Sequence, residues 1–334
     1  MLARESLRPT SQVAEDLREI ARGLLETGDV DVFIGYEEGS LPLRTTPAFV
    51  TRADDVSRLV WGHACENNLA VYLPKFEGKV GVVLKGCDAR TLVNLIVEKQ
   101  VRRDRVKIVG VPCGGVIDRR KLAARLAAAA GGGRTARAAS ETEDGVILAR
   151  GDGFEATVPV EEVLSPSCTT CTHPVPVVYD FLAGDERWAR QVCPKEQAYD
   201  DVDAFMGRGA DERFTHFSKE IERCIECFAC RQACPLCYCP ECFVDRETPR
   251  WVGRWRDLSD RMVFHLGRAL HTAGRCVDCG ACRRACPAGI DLRLLTRRME
   301  RDALEFFGYE SGADLEAVPL LATYRRDDPD DFIL

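Results

Sequence analysis

One cysteine spacing, written twice, constrains this chain more than any other feature. Cys224, Cys227, Cys230 and Cys234 stand in CIECFACRQACP, and Cys276, Cys279, Cys282 and Cys286 in CVDCGACRRACP. Both read C-x2-C-x2-C-x3-C-P, the bacterial-type run that holds a [4Fe-4S] cube. Three thiolates on a tight loop reach three corners of one cube. The fourth points away and serves the cube of the other run, and the proline after it redirects the chain. The expected ligand sets are therefore crossed. One cluster takes Cys224, Cys227, Cys230 and Cys286, and the other takes Cys276, Cys279, Cys282 and Cys234. Zinc sites use four ligands in all, usually as two C-x2-C pairs, not a four-cysteine run closed by proline. Two clusters imply a path for single electrons.

The chain has 334 residues, enough for two or three domains. A formal net charge of -7, from 46 basic and 53 acidic residues, argues against a nucleic-acid partner. No stretch nears the roughly 20 apolar residues of a membrane helix, so no direct membrane span is expected. The opening MLARESLRPTSQVAEDLREI lacks the apolar core of a secretory signal. Seventeen cysteines in such a chain point to metal ligands in a reducing compartment rather than to disulfides. The expected location is the cytoplasm.

The first half alternates helix and strand patterns. Helices are expected over 13–28, 53–68, 89–101 and 117–130, and strands over 29–35, 69–74, 80–86 and 106–112. GGGRTARAASETEDG (131–145) reads as a surface loop, and GVILARGDGFEATVPV (145–160) as a hairpin turning at GDG. The expected fold class is an α/β N-terminal domain with a mostly parallel sheet over 1–165. A cysteine-containing connector follows over 166–220, then a mainly α-helical dicluster ferredoxin domain over 221–310 and a tail over 311–334.

A third set of cysteines stands where strands end. Cys87 follows VGVVLKG, Cys113 follows VKIVGVP, and Cys168 and Cys171 form SCTTC after the hairpin. In an open α/β sheet ligands bind beyond the carboxyl ends of the strands, so these four thiols form a candidate third cluster site. The stretches GKVGVVLKGCDARTL, VKIVGVPCGG and CTTCTHPVPVVYDFLAGD resemble the beta subunit of coenzyme F-420 (deazaflavin) hydrogenases and dehydrogenases, over roughly residues 10–185. The resemblance implies that Cys87, Cys113, Cys168 and Cys171 hold one [4Fe-4S] cluster beside an FAD. AEDLREIARGLL lacks the glycine pair that the family carries early, near the flavin, and no GxGxxG fingerprint occurs. The FAD site is not readable from the residues.

The long insert between the two runs makes the ferredoxin module resemble the helical kind of heterodisulfide-reductase subunits. Helices are expected over 250–274 and 290–308, the second stopped at Gly308. Arg231, Arg283 and Arg284 lie within the runs, either raising cluster potentials or simply facing solvent. Of the remaining cysteines, Cys65 reads as a core thiol. Cys193, Cys237, Cys239 and Cys242 suffice for a fourth cluster, with a zinc knuckle or no metal as the competing readings. His63, His173, His216, His265 and His271 show no H-x3-H pairing, and no catalytic triad or carboxylate pair is readable.

These features point to an iron–sulfur electron-transfer subunit of a multi-subunit oxidoreductase. By resemblance the assembly is a hydrogenase, a formate dehydrogenase or a heterodisulfide-reductase-like complex. Its partners would be other redox subunits, with ferredoxin or a deazaflavin or nicotinamide coenzyme as further candidates. Two alternatives stand beside it: a flavin-containing enzyme subunit acting on a deazaflavin or nicotinamide coenzyme, and a zinc-binding structural module.

Overall fold

The structure is a computed structural model that describes residues 10–130, 136–142, 145–151, 154–253 and 257–328. The chain divides into two compact units. The first comprises residues 1–89 and 102–193, and the second residues 90–101 and 194–334.

The first unit opens with α1 (Thr10–Glu26), whose Val13, Ala14, Leu17, Ala21 and Leu24 form one buried stripe. Gly28, at φ +70°, ends it as expected. The central sheet contains β1 (Val32–Glu38), β2 (Thr45–Val50), β3 (Val80–Leu84), β4 (Val106–Gly110) and a short final strand, Phe181–Leu182, in the order β2-β1-β3-β4 and then that strand. All its pairings are parallel except the antiparallel β1–β2 edge. Every residue of β3 is buried, as a sheet covered on both faces requires. The expected α/β domain with a largely parallel sheet is what folds.

Between these strands run α2 (Gly86–Val97), which begins in the first unit and continues into the second, and α3 (Arg119–Ala130). A separate three-stranded antiparallel sheet follows, of β5 (Ala136–Glu141), β6 (Val146–Gly151) and β7 (Phe154–Pro159). The final strand of the central sheet, Phe181–Leu182, is β8.

Three local readings are corrected, and one strand went unread. Residues 53–68 do not form a long helix: only Ala53–Arg58 winds, as a 3-10 turn. Beyond it the backbone turns outward, with the Val60 N–H donating to the Tyr36 carbonyl and the His63 carbonyl accepting from Ile117. Neighbouring segments thus satisfy groups that a helix would have paired. Residues 69–74 form a 3-10 helix, Leu69–Lys75, in place of a strand. The Asn68 side chain caps it by accepting from the Ala70 N–H, and Pro74 could not donate to a ladder. Part of the expected 131–145 loop is β5, while 131–135 and 143–144 lie outside the described residues. The hairpin of β6 and β7 forms as expected, its 152–153 turn also lying outside them. β2 went unread because Pro47 demotes such a run, and it is the edge strand where proline is tolerated.

The second unit is helical: α5 (Asp200–Met206), α6 (Ala210–Glu222), α7 (Ala229–Gln232), α8 (Leu258–His271), α9 (Ala281–Ala285) and α10 (Arg293–Phe307). The short α4 (Pro166–Thr169) belongs to the first unit. α8 starts at Leu258 rather than at residue 250, because the Asp257 side chain caps it by accepting from the Asp260 N–H. Residues 254–256 lie outside the described residues. α10 ends at Gly308, φ +61°, as its sequence predicts. Asp278 is buried between Arg293 and Arg297, at 2.7 and 2.8 Å, and ties the second cysteine run to α10. Among the described residues no helix is long and apolar enough to cross a membrane.

Candidate metal centres

The two cysteine runs wind the same way. Glu226 and Phe228 of the first take φ +55°, and Asp278 and Gly280 of the second take +48° and +70°. These are matched positions in the two sequences. Alternating left-handed residues turn backbone N–H groups inward into an anion-binding concavity. The Glu226 N–H lies 3.4 Å from Cys224 Sγ. Amides two residues on face the thiols of Cys234, Cys276 and Cys279 likewise. Such donors favour the thiolate that iron requires.

Two cavities result. One, of about 430 Å³, is lined by Cys224, Cys227, Cys230, Cys282 and Cys286 with Phe228 and His265. The other, of about 460 Å³, is lined by Cys234, Cys276, Cys279 and Cys282 with Arg268 and Arg293. Cys286 packs with Cys224 on the apolar cluster of Ile221, Ile290 and Leu292. Burial pushes the Cys230 thiol up to about 11 and Cys279 to about 12, with neighbouring thiols adding to the shift. Loading with iron must therefore release protons. The chemistry of these donor sets, four soft sulfurs facing inward-turned amides, fits an iron–sulfur cube.

The arginines within the runs are paired. Arg231 meets Asp245 at 2.7 Å, Arg283 meets Asp291 at 2.9 Å, and Arg284 donates to the Cys279 carbonyl at 2.8 Å. Sequence reasoning noted His265 only as lacking an H-x3-H partner and passed over Arg268; both are at most 5% exposed. Their signal was available: they stand three apart on α8, among the apolar positions of an amphipathic helix.

In the first unit, parallel register sets Leu84 opposite Gly110, so Cys87 and Cys113, each three residues further, leave the sheet at the same end. Cys168 lies in α4 and Cys171 just after it. The Gly115 and Val116 N–H groups lie 3.3 Å from the sulfurs of Cys113 and Cys168. Burial, then the charges of Cys168 and Cys171, push the Cys113 thiol up to about 12. Cys193 sits beside this group, its N–H donating to the Cys171 carbonyl at 2.9 Å. Cys237, Cys239 and Cys242 lie in the second unit. Cys65 is buried at 1% exposure, as a core thiol would be.

A cavity of about 390 Å³ opens beside Cys113, lined by Trp61, His63, Lys85, Gly114, Gly115 and Trp188 among others. Lys85 is buried against Asp88 at 2.8 Å, the Asn67 carbonyl at 2.9 Å and the Tyr36 hydroxyl. Burial works against its charge, but Asp88 and Tyr36 outweigh that and hold its pKa well above the usual lysine value.

Comparison with known proteins bears on both units. Residues 220–290 match the family described as a 4Fe-4S dicluster domain. The F420-dependent formate dehydrogenase subunit beta of Methanocaldococcus jannaschii is 23% identical, over 89% of this chain and 91% of that protein. The F420-dependent formate dehydrogenase 1 subunit beta of Methanococcus maripaludis is 22% identical, over 89% of this chain and 90% of that protein. A chain from the xenon-derivatized F420-reducing [NiFe] hydrogenase complex of Methanosarcina barkeri is 17% identical. It covers 65% of this chain and 90% of that one at a TM-score of 0.37, a likeness too slight to bear on the fold. The helical C-terminal region thus carries a 4Fe-4S dicluster domain, in a chain similar over most of its length to F420-dependent formate dehydrogenase beta subunits.

Proposed function

We propose that this chain is the iron–sulfur electron-transfer subunit of a multi-subunit oxidoreductase, passing single electrons between its clusters and partner redox subunits. One observation carries the reading. Each of two adjoining cavities is lined by three cysteines of one run and the last cysteine of the other, and Cys282 lines both. Cys224, Cys227, Cys230 and Cys286 hold one [4Fe-4S] cluster; Cys276, Cys279, Cys282 and Cys234 hold the second. Cys87, Cys113, Cys168 and Cys171 hold a third at the sheet's end. Cys193 with Cys237, Cys239 and Cys242 is the candidate set for a fourth. The clusters carry the electrons, and the protein positions them and sets their potentials. The likeness to formate dehydrogenase beta subunits supports a formate dehydrogenase assembly as the setting, and the seventeen cysteines support a reducing compartment, the cytoplasm.

A second reading, in which the chain itself exchanges hydride with a deazaflavin or nicotinamide coenzyme, needs FAD. The cavity beside Cys113 favours it: a buried lysine charge beside a Gly-Gly backbone suits an anionic ring edge. Iron, sulfide and flavin assayed on anaerobically purified protein test both readings. Three clusters require roughly twelve iron and twelve sulfide per chain, and the second reading adds one flavin. Abundant zinc with little iron and no labile sulfide would overturn the proposal.

A further inference from the structure

Helix α8 buries Phe264, His265, Arg268 and Ala269, and the two polar members of this face are incompletely satisfied. Neither imidazole nitrogen of His265 has a hydrogen-bond partner, and neither does Nε of Arg268. His265 lines the first cluster cavity and Arg268 the second. The Arg268 guanidinium donates to the Cys230 carbonyl at 3.3 Å and lies against the Cys237 sulfur. Among the described residues, no carboxylate pairs with it. A buried cation without a counterion is strongly unfavourable, so its charge must be met by the Cys237 sulfur and by what fills the cavity. The groups around it that favour its charge are the thiolates of Cys282, Cys234, Cys237 and Cys230.

Three other arginines near the cavities are neutralised by carboxylates. Arg293 also lines the second cavity, but two of its nitrogens bond the Asp278 carboxylate. Arg231 and Arg283 have Asp245 and Asp291. Reduction adds one negative charge to a cluster, and in a poorly polarisable interior an uncompensated cation nearby favours that added charge.

Resting on the dicluster reading above, we propose that Arg268 and His265 are the polar contacts of α8 to the two clusters, and that the fixed Arg268 charge makes the Cys234/Cys276/Cys279/Cys282 cluster the higher-potential member of the pair. An electron shared between the two then resides mainly on that cluster. His265 contributes at most one hydrogen bond to the first.

The test is an anaerobic redox titration of the full chain followed by electron paramagnetic resonance, with the second cluster's signal assigned by its loss in Cys279→Ser. In Arg268→Gln the ratio of reduced to oxidised second cluster should fall at least tenfold at a fixed potential, about 59 mV for a one-electron couple, while the first cluster shifts less. Arg268→Lys keeps the charge and should keep the order of the two potentials. His265→Phe should move only the first cluster's signal. An unchanged titration in Arg268→Gln at full iron content would overturn the proposal. Should that variant lose iron, Arg268→Lys decides: preserved order with full iron supports the role of charge, and inverted order refutes it. Absence of any cluster in the unmodified chain would instead defeat the dicluster reading itself.

Discussion

Cys234 and Cys286 each line the cavity built by the other's run. Two segments about fifty residues apart in sequence are thereby interlocked, and each cavity depends on both. Cys234→Ser is therefore expected to resemble Cys279→Ser, removing the second cluster's spectroscopic signal, and not Cys227→Ser, which removes the first. Iron content and reduced-state spectra of the three variants decide this. If Cys234→Ser and Cys227→Ser lost the same signal, the crossing would be wrong.

Cys65 and Cys87 separate a packing thiol from a ligand. Cys65 is enclosed, its sulfur 3.9 Å from the Val60 carbonyl. Cys65→Ser is expected to leave iron unchanged and to cost about 1–3 kcal/mol of stability through the buried hydroxyl. Cys87→Ala is expected to remove one cluster and spare the pair in the second unit. Iron per chain, measured beside a denaturation curve, distinguishes the two.

Gly86 offers a steric test of the same centre. A Cβ at this position would lie 1.9 Å from the His173 carbonyl oxygen. Gly86→Ala must push the 173–175 segment away from the start of α2, and with it the adjoining Cys171. Loss of the cluster assigned to Cys87, Cys113, Cys168 and Cys171 is expected, with the other two signals intact. A variant retaining all of its iron would argue that this centre lies elsewhere.

Glu300 supplies a pH dependence. Burial raises its carboxyl from 4.5 to about 7, although Arg90 at 3.5 Å favours the ionised form. Below pH 4.5 the group is protonated both folded and unfolded and contributes nothing. Between 4.5 and 7 the unfolded chain releases the proton first, so stability falls as pH rises. The penalty levels off above pH 7 at about 3 kcal/mol. Glu300→Gln should flatten this portion of the profile and be the more stable protein at pH 8. Unfolding midpoints at pH 5.5 and pH 8 measure it, and parallel profiles would contradict the assignment.

Much of this was legible in the sequence because the signals were local. Cysteine spacing marked the runs, short apolar runs marked β3 and β4, and Gly28 and Gly308 marked helix ends. What escaped depended on partners distant in the chain. The 53–68 segment has helical composition, yet its backbone groups bond to Tyr36 and Ile117. β2 and β5 are held by pairing that a proline or a glycine-rich flank obscures. Arg268 resembles any arginine on an amphipathic helix until its neighbours show that no carboxylate compensates it.

The two runs also differ at a matched position. Cys227 is exposed and its neighbour Ile225 is 58% exposed, whereas Cys279 is half-buried between the buried Val277 and Ala281. Of two sites otherwise built alike, the first shows one sulfur more fully to the surface. The exposed Cys227 sulfur is therefore the corner of the pair at which an electron has the shortest way out to a docked protein.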